Sequence, residues 1–268
     1  PVTFAQKRLA GVEFLGLPVA YAVTLGNRAQ TGLPELGTAL LRDDRVTALG
    51  LYLEGIGDVR GFEALAAEAR SLGKRIVAVK VGASAQAQAA TVSHTASLAG
   101  GDAGAGALMA RLGVARVDSL GALIEALKLC HFAPPLAGNR VACLSSSGGE
   151  ASLMADTALK HDVVFPPLSG AQQAALRAAL GPRVALANPL DYHTYVWNDA
   201  AAMAAVYAAM MDGTADLTVV VADFPRRDRC DSSDWDCVID AAGQAQARTG
   251  RPLRSEEHTS ELQSRMFI

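Results

Sequence analysis

Five short runs of β-branched and aliphatic residues punctuate the chain: Pro18–Thr24 (PVAYAVT), Val46–Leu53 (VTALGLYL), Arg75–Val81 (RIVAVKV), Arg140–Ser145 (RVACLS) and Leu217–Asp223 (LTVVVAD). Continuous apolar runs of this length suit strands covered on both faces, as in a parallel sheet. Between and after them, Phe62–Ser71, Ala103–Leu112, Ser119–His131, Ala151–Lys160 and Ser169–Leu180 carry Ala and Leu at helical spacing. This alternation predicts βαβ units and a doubly wound α/β fold.

Phe132–Asn139 (FAPPLAGN) has the Pro-Pro and Gly of a connector, and a new apolar strand begins at Val141. The predicted organisation is therefore one α/β domain over 1–133, a linker over 134–139 and a second α/β domain over 140–253. The second sheet is expected to be truncated at Leu253, with no strand following its last helix.

Composition narrows the function classes. Half of the 268 residues are apolar, 19% are charged and the formal net charge is −3, without a basic run. Such a chain can build a sizeable core, and nothing in it points to nucleic acid or an anionic membrane surface as a partner. No apolar stretch has the length of a membrane span. Cys130, Cys143, Cys230 and Cys237 are scattered without metal-site or redox spacing, which reads as reduced thiols in the cytoplasm. The chain begins at Pro1 rather than Met, so its natural start is expected to lie upstream.

The composition changes abruptly near the end. Arg254–Ser264 (RSEEHTSELQS) reads as the in-frame translation of a common short-read sequencing adapter. Residues 254–268 are expected to be an artefact of that kind, the natural chain continuing differently after Leu253. Setting aside their two basic and three acidic residues changes the net charge by one unit and leaves the charge argument intact.

Ligands of open α/β sheets gather at the carboxyl ends of strands, where loops meet helix N-termini. Four segments there carry candidate chemistry. Ser93–Asp102 (SHTASLAGGD) places His94 among small residues, where an imidazole can accept and pass on a phosphoryl group, or simply serve a structural hydrogen bond. Glu54 ends an apolar strand, positioned to orient His94 or to form a cap or ion pair. Ser145–Glu150 (SSSGGE) is a strand-to-helix turn whose backbone N–H groups suit a phosphate or carboxylate, although helix caps use the same residues and no Walker lysine follows. Asn188–His193 (NPLDYH) has turn chemistry and is either a site or a packed loop. Trp197 and Trp235 read as packing residues.

Taken in order, Thr24-Leu25-Gly26-Asn27, Leu51-Tyr52-Leu53-Glu54-Gly55, Lys80-Val81-Gly82, Ser93–Gly100, Ser146-Ser147-Gly148-Gly149 and Asn188-Pro189-Leu190-Asp191 resemble the landmarks of the NDP-forming acyl-CoA synthetases. That family includes the ADP-forming acetate–CoA ligases and has succinyl-CoA synthetase as a relative. The resemblance covers nearly all of Pro1–Leu253 and implies two flavodoxin-like domains of succinyl-CoA-synthetase type. It implies that His94 is transiently phosphorylated and that Glu54 hydrogen-bonds and orients it. Gly26, Asn27, Ser93, Gly100, Ser147, Gly148, Gly149, Asn188 and Asp191 are the implied neighbours of phosphate or CoA.

What the family implies further is an acid–thiol ligase working through a phosphohistidine, with CoA, a small carboxylic acid, ATP/ADP and Mg²⁺ in the intact, oligomeric enzyme. No metal ligand is expected in this chain. A CoA-binding Rossmann domain is expected before Pro1, and an ATP-grasp domain beyond Leu253 or on another chain, so the piece alone is expected to be inactive. Two departures stand against the pattern: Ala96 replaces a Gly of the histidine loop, and Ser146-Ser147 replace Asn-Ala. The alternative is a non-catalytic regulatory module that binds CoA or acyl-CoA on the same fold. An acyltransferase on these domains would be signalled by loss of the histidine, which is retained.

Overall fold

A computed structural model describes residues 17–25, 31–84, 86–87, 101–133, 135–225 and 231–257. The chain divides into two compact units at Phe132/Ala133.

In the first unit, β1 (Ala48–Leu53), β2 (Arg75–Lys80) and β3 (Ala115–Val117) form a parallel sheet in the order β1-β2-β3. Leu49, Leu51 and Leu53 lie in register with Ile76, Ala78 and Lys80. Their shared face packs against α1 (Leu33–Leu41), α2 (Val59–Ser71) and α3 (Asp102–Leu112) through Leu33, Leu41, Phe62, Leu65 and Met109. Val77 and Val79 point the other way, onto Leu123 and Leu127 of α4 (Leu120–Phe132). Gly50 allows the close approach on that side: a Cβ there would lie 2.6 Å from Leu127 Cδ1. Asp58 starts α2 by accepting from Gly61 N at 3.0 Å, and Gly113 ends α3 in the left-handed region at φ +69°.

The expected strand at Pro18–Thr24 is not formed. Those residues are exposed and irregular, and the sheet runs from β1 to β3 without them. Apolar β-branched content favours a strand only where a ladder partner exists, and here none is found among the described residues. Tyr21 instead fastens the segment by donating to Asp43 Oδ2 at 2.6 Å, under the Arg45 guanidinium.

In the second unit, β4 (Val141–Ser145), β5 (Leu190–Asp191), β6 (Leu217–Ala222) and β7 (Leu253–Glu257) form a parallel sheet in the order β5-β4-β6-β7. Its helices are α5 (Gly148–Ala158), α6 (Gly170–Leu180), α7 (Ala200–Met211) and α8 (Asp236–Thr249). The core gathers Leu144, Leu176, Leu190, Tyr192, Met203, Tyr207, Met210 and Val220. Buried Gln172 secures α6 by donating to the Ala209 and Met210 carbonyls at 3.1 and 3.2 Å, near the end of α7. A strand does follow the last helix, against expectation. β7 pairs with β6 from Thr218↔Leu253 to Ala222↔Glu257, because ladder bonds are made by the backbone and a change of side-chain style does not forbid them.

Candidate functional site

The carboxyl edge of each sheet carries candidate residues. In the first unit, Glu54 follows β1 directly and is half-buried, while Gly55 and Ile56 behind it are buried. Val81 N donates to Leu53 O at 2.9 Å, continuing the ladder to the point where both strands end. Lys80, the last residue of the central strand, is 6% exposed, and its Nζ donates to Val81 O at 2.5 Å. Gly82 then turns the chain with φ +87°, a conformation that favours glycine. Gly26, Asn27, Ser93, His94 and Gly100 lie outside the described residues. Among the described residues no group of three or more His, Cys, Asp or Glu is placed to hold a metal ion.

In the second unit, β4 ends at Ser145, whose hydroxyl joins both sides of the turn. It accepts from Ser147 N at 3.0 Å and donates to Glu150 Oε2. Glu150 is the third helical residue of α5 and Ser147 its N-cap, so Glu150 reaches the cap amide through an intervening hydroxyl. The Ser147 side chain makes no cap bond, and the first intrahelical bond runs from Ala151 N to Ser147 O at 3.1 Å. The Gly148 and Gly149 amides therefore open the helix with no side-chain cap from Ser147.

Asp191, at the end of β5, stands beside that opening and accepts from His193 N at 2.9 Å. His193 Nε2 is 3.6 Å from Asp191 Oδ2, and His193 holds a left-handed φ of +57° beside the exposed Tyr195 ring. Tyr192 N donates to Ser145 O at 2.9 Å, joining the two strand ends. Its buried hydroxyl lies 3.0 Å from that of Tyr207. Burial pushes the Tyr192 phenol up to about 12, opposed by the hydrogen bond with Tyr207. Burial likewise pushes the Cys143 thiol up to about 12, with the Glu150 carboxylate adding to the effect.

Ser147, Gly148, Gly149 and Asp191 are thus brought together. Asn188 is committed differently: its Oδ1 accepts from Cys143 N at 2.9 Å, and its Nδ2 donates to Val141 O and Pro166 O at 2.9 and 3.1 Å. Its side chain works as a backbone clamp. Ser145, Glu150 and Lys80 belonged to segments singled out in the sequence without receiving roles of their own. The signal for Lys80 was an ammonium inside the apolar run RIVAVKV.

Parallel sheets with their polar residues at the carboxyl edges define an α/β protein, and residues 3–130 match the family model of the succinyl-CoA ligase like flavodoxin domain. That match marks this part of the chain as a succinyl-CoA-ligase-like flavodoxin domain, and its curated relatives include ADP-forming acetate–CoA ligases. It is 31% identical over 176 residues to a trans-feruloyl-CoA synthase from an unknown prokaryotic organism, an alignment covering 66% of this chain and 25% of that protein. Identity to the ADP-forming acetate–CoA ligase of Methanocaldococcus jannaschii is 28%, over the same shares. The alpha subunit of ADP-forming acetate–CoA ligase II from Pyrococcus furiosus is 32% identical, covering 63% of this chain and 36% of that subunit.

A solved structure of dinucleotide-forming acetyl-coenzyme A synthetase 1 from Ca. Korarchaeum cryptofilum, in its apo form, has the same fold at a TM-score of 0.75. Sequence identity is 21%, with 90% of this chain and 51% of that one covered. The form in complex with phosphate and ADP gives 0.72 at 20% identity, over the same shares. The chain spans about a quarter of the length of the first two curated relatives and half of these solved chains.

Proposed function

We propose that this chain is the phosphohistidine-bearing part of an acyl-CoA synthetase that interconverts acyl-CoA, NDP and phosphate with carboxylic acid, CoA and NTP. The observation that carries this reading is the match of residues 3–130, which contain both Glu54 and His94, to the succinyl-CoA-ligase-like flavodoxin family. The curated relatives that share it are named as CoA ligases or synthases.

In the proposed sequence, phosphate displaces CoA from the acyl-CoA and gives an acyl phosphate. An imidazole nitrogen of His94 attacks phosphorus, the P–O bond breaks, and the carboxylate leaves with the bonding electrons. Glu54 accepts a hydrogen bond from the other ring N–H and holds the attacking tautomer. The phosphoryl group then moves to an NDP. Phosphoryl transfer needs hydrogen-bond donors placed around the moving charge.

The domains in this reading are 1–133 and 140–253, with 254–268 foreign to the natural protein. Nucleotide with its Mg²⁺, and most of the CoA, fall to an ATP-grasp and a Rossmann part outside this chain. Ligation needs those parts, and this piece alone is expected to be inactive. The cytoplasm suits an enzyme of soluble thioesters with free thiols at Cys130, Cys143 and Cys237.

The test is incubation of the intact parent protein, in which this chain keeps its neighbouring parts, with acetyl [³²P]phosphate. Acid-labile, base-stable label on the wild type and none on His94→Ala is the expected result. An unlabelled wild type would overturn the ligase reading and favour the regulatory module.

A further inference from the structure

Lys80 is a buried cation in search of a reason. It ends β2, the central strand of the first sheet, and is 6% exposed. Its register partner is Leu53, and the preceding pairs Leu51↔Ala78 and Leu49↔Ile76 lie within the apolar core. The lysine stem therefore continues that apolar face, while the ammonium turns to the strand end and donates to Val81 O.

The other described lysines of the unit have evident structural work. Lys74 Nζ caps the Leu41 and Asp43 carbonyls at 2.6 and 2.8 Å, and fully buried Lys128 pairs with Glu125 at 2.9 Å. Lys80 makes no ion pair with any described residue. One neutral carbonyl is its one hydrogen-bond acceptor among them, and an ammonium has three protons to give. Withdrawing an ammonium from water without a counter-charge is unfavourable, and an apolar side chain of the same length fills such a place more stably.

The place itself suggests what the charge is for. Lys80 stands at the carboxyl end of a central parallel strand, where ligands of open sheets collect. Glu54 follows its register partner Leu53 at the same edge. An acidic residue that orients a nucleophile and a cation without a partner are complementary needs of one anionic substrate group.

We infer that Lys80 supplies the counter-charge for the phosphoryl group handled at this edge, its ammonium turning from Val81 O to a non-bridging phosphoryl oxygen. The inference rests on the proposed function, which brings a phosphoryl group here. It makes Lys80 a catalytic residue rather than a clamp on the strand end.

Lys80→Met and Lys80→Arg separate the two roles. The intact parent protein is incubated with acetyl [³²P]phosphate, the initial rate of labelling is followed, and thermal unfolding is recorded in parallel. Lys80→Met is expected to melt at or above the wild-type temperature while labelling falls on the order of a hundredfold, the scale of losing one preorganised donor to a developing charge. Lys80→Arg is expected to recover most of that loss, since it restores the charge. Wild-type labelling in Lys80→Met overturns the inference and leaves the ligase reading standing. A variant that melts lower and is not rescued by Arg overturns it in favour of the clamp. An unlabelled wild type removes the ligase reading, and the inference falls with it.

Discussion

The carboxylate of Asp191 presses so closely on Gly148 that a Cβ on the glycine would lie 2.9 Å from Asp191 Oδ2. A negative group at the first turn of a helix is favourable, and the absence of a side chain at Gly148 lets it come this near.

Gly148→Ala is therefore expected to displace Asp191 and to lower stability by about 1–3 kcal/mol, the range for overfilling a packed contact. Urea unfolding measures the loss. In the Asp191→Ala background the same change is expected to cost less, with a coupling of at least about 0.5 kcal/mol in the double-mutant cycle. Additive effects would show that the contact is not what constrains Gly148.

Asn188→Ala removes three bonds to backbone groups of β4 and the Pro166 turn at once. Leaving buried amide and carbonyl groups unsatisfied costs about 1–3 kcal/mol for each, so a fall of at least about 2 kcal/mol is expected in urea unfolding. If the clamp is its whole role, the rate of phosphoryl labelling stays at the wild-type level well below the melting temperature.

Tyr192 gives the second unit an alkaline limit. Its phenol ionises at 10.0 in the unfolded chain and at about 12 when folded. The folded state thus holds the proton longer, so the stabilisation is complete below pH 10 and disappears as pH rises from 10 towards 12. Roughly 2–3 kcal/mol is at stake by linkage. Tyr192→Phe is expected to flatten this part of the stability–pH curve, followed by circular dichroism from pH 8 to 12.

Cys143 is expected to resist alkylation while the protein is folded. It is buried, and with its thiol pushed up to about 12 almost no thiolate exists at pH 8. Iodoacetamide followed by peptide mass spectrometry is expected to modify it only in urea. Rapid modification of the native protein would contradict the packing of β4.

The strands β1, β2, β4 and β6 were legible because each is a continuous apolar run. The same criterion misread Pro18–Thr24, since an apolar run does not announce whether a ladder partner is within reach. Helix α7 was overlooked for the opposite reason: AAAMAAVYAAMM is apolar on nearly every face, and seven of its residues are buried, so no amphipathic period marks it. Two-residue β5 is too short to carry any pattern. Of the candidate site, the Ser-Gly turn and Asp191 were visible as residue types at strand ends. The relay through Ser145 was not, because a hydroxyl two residues before the N-cap has no sequence signature. Asn188 looked like a turn former because its partners are backbone groups about twenty to fifty residues away.

Asn188 also has a meaning for motion. Its amide fastens both the strand that delivers Ser145 and the segment that precedes Asp191, while Tyr192 N ties the two strand ends again at Ser145 O. The turn and the aspartate beside it consequently open and close as one cooperative body. Amide exchange at Cys143 and Tyr192 should report a single shared opening free energy, and a ligand that steadies one of them should slow exchange at both.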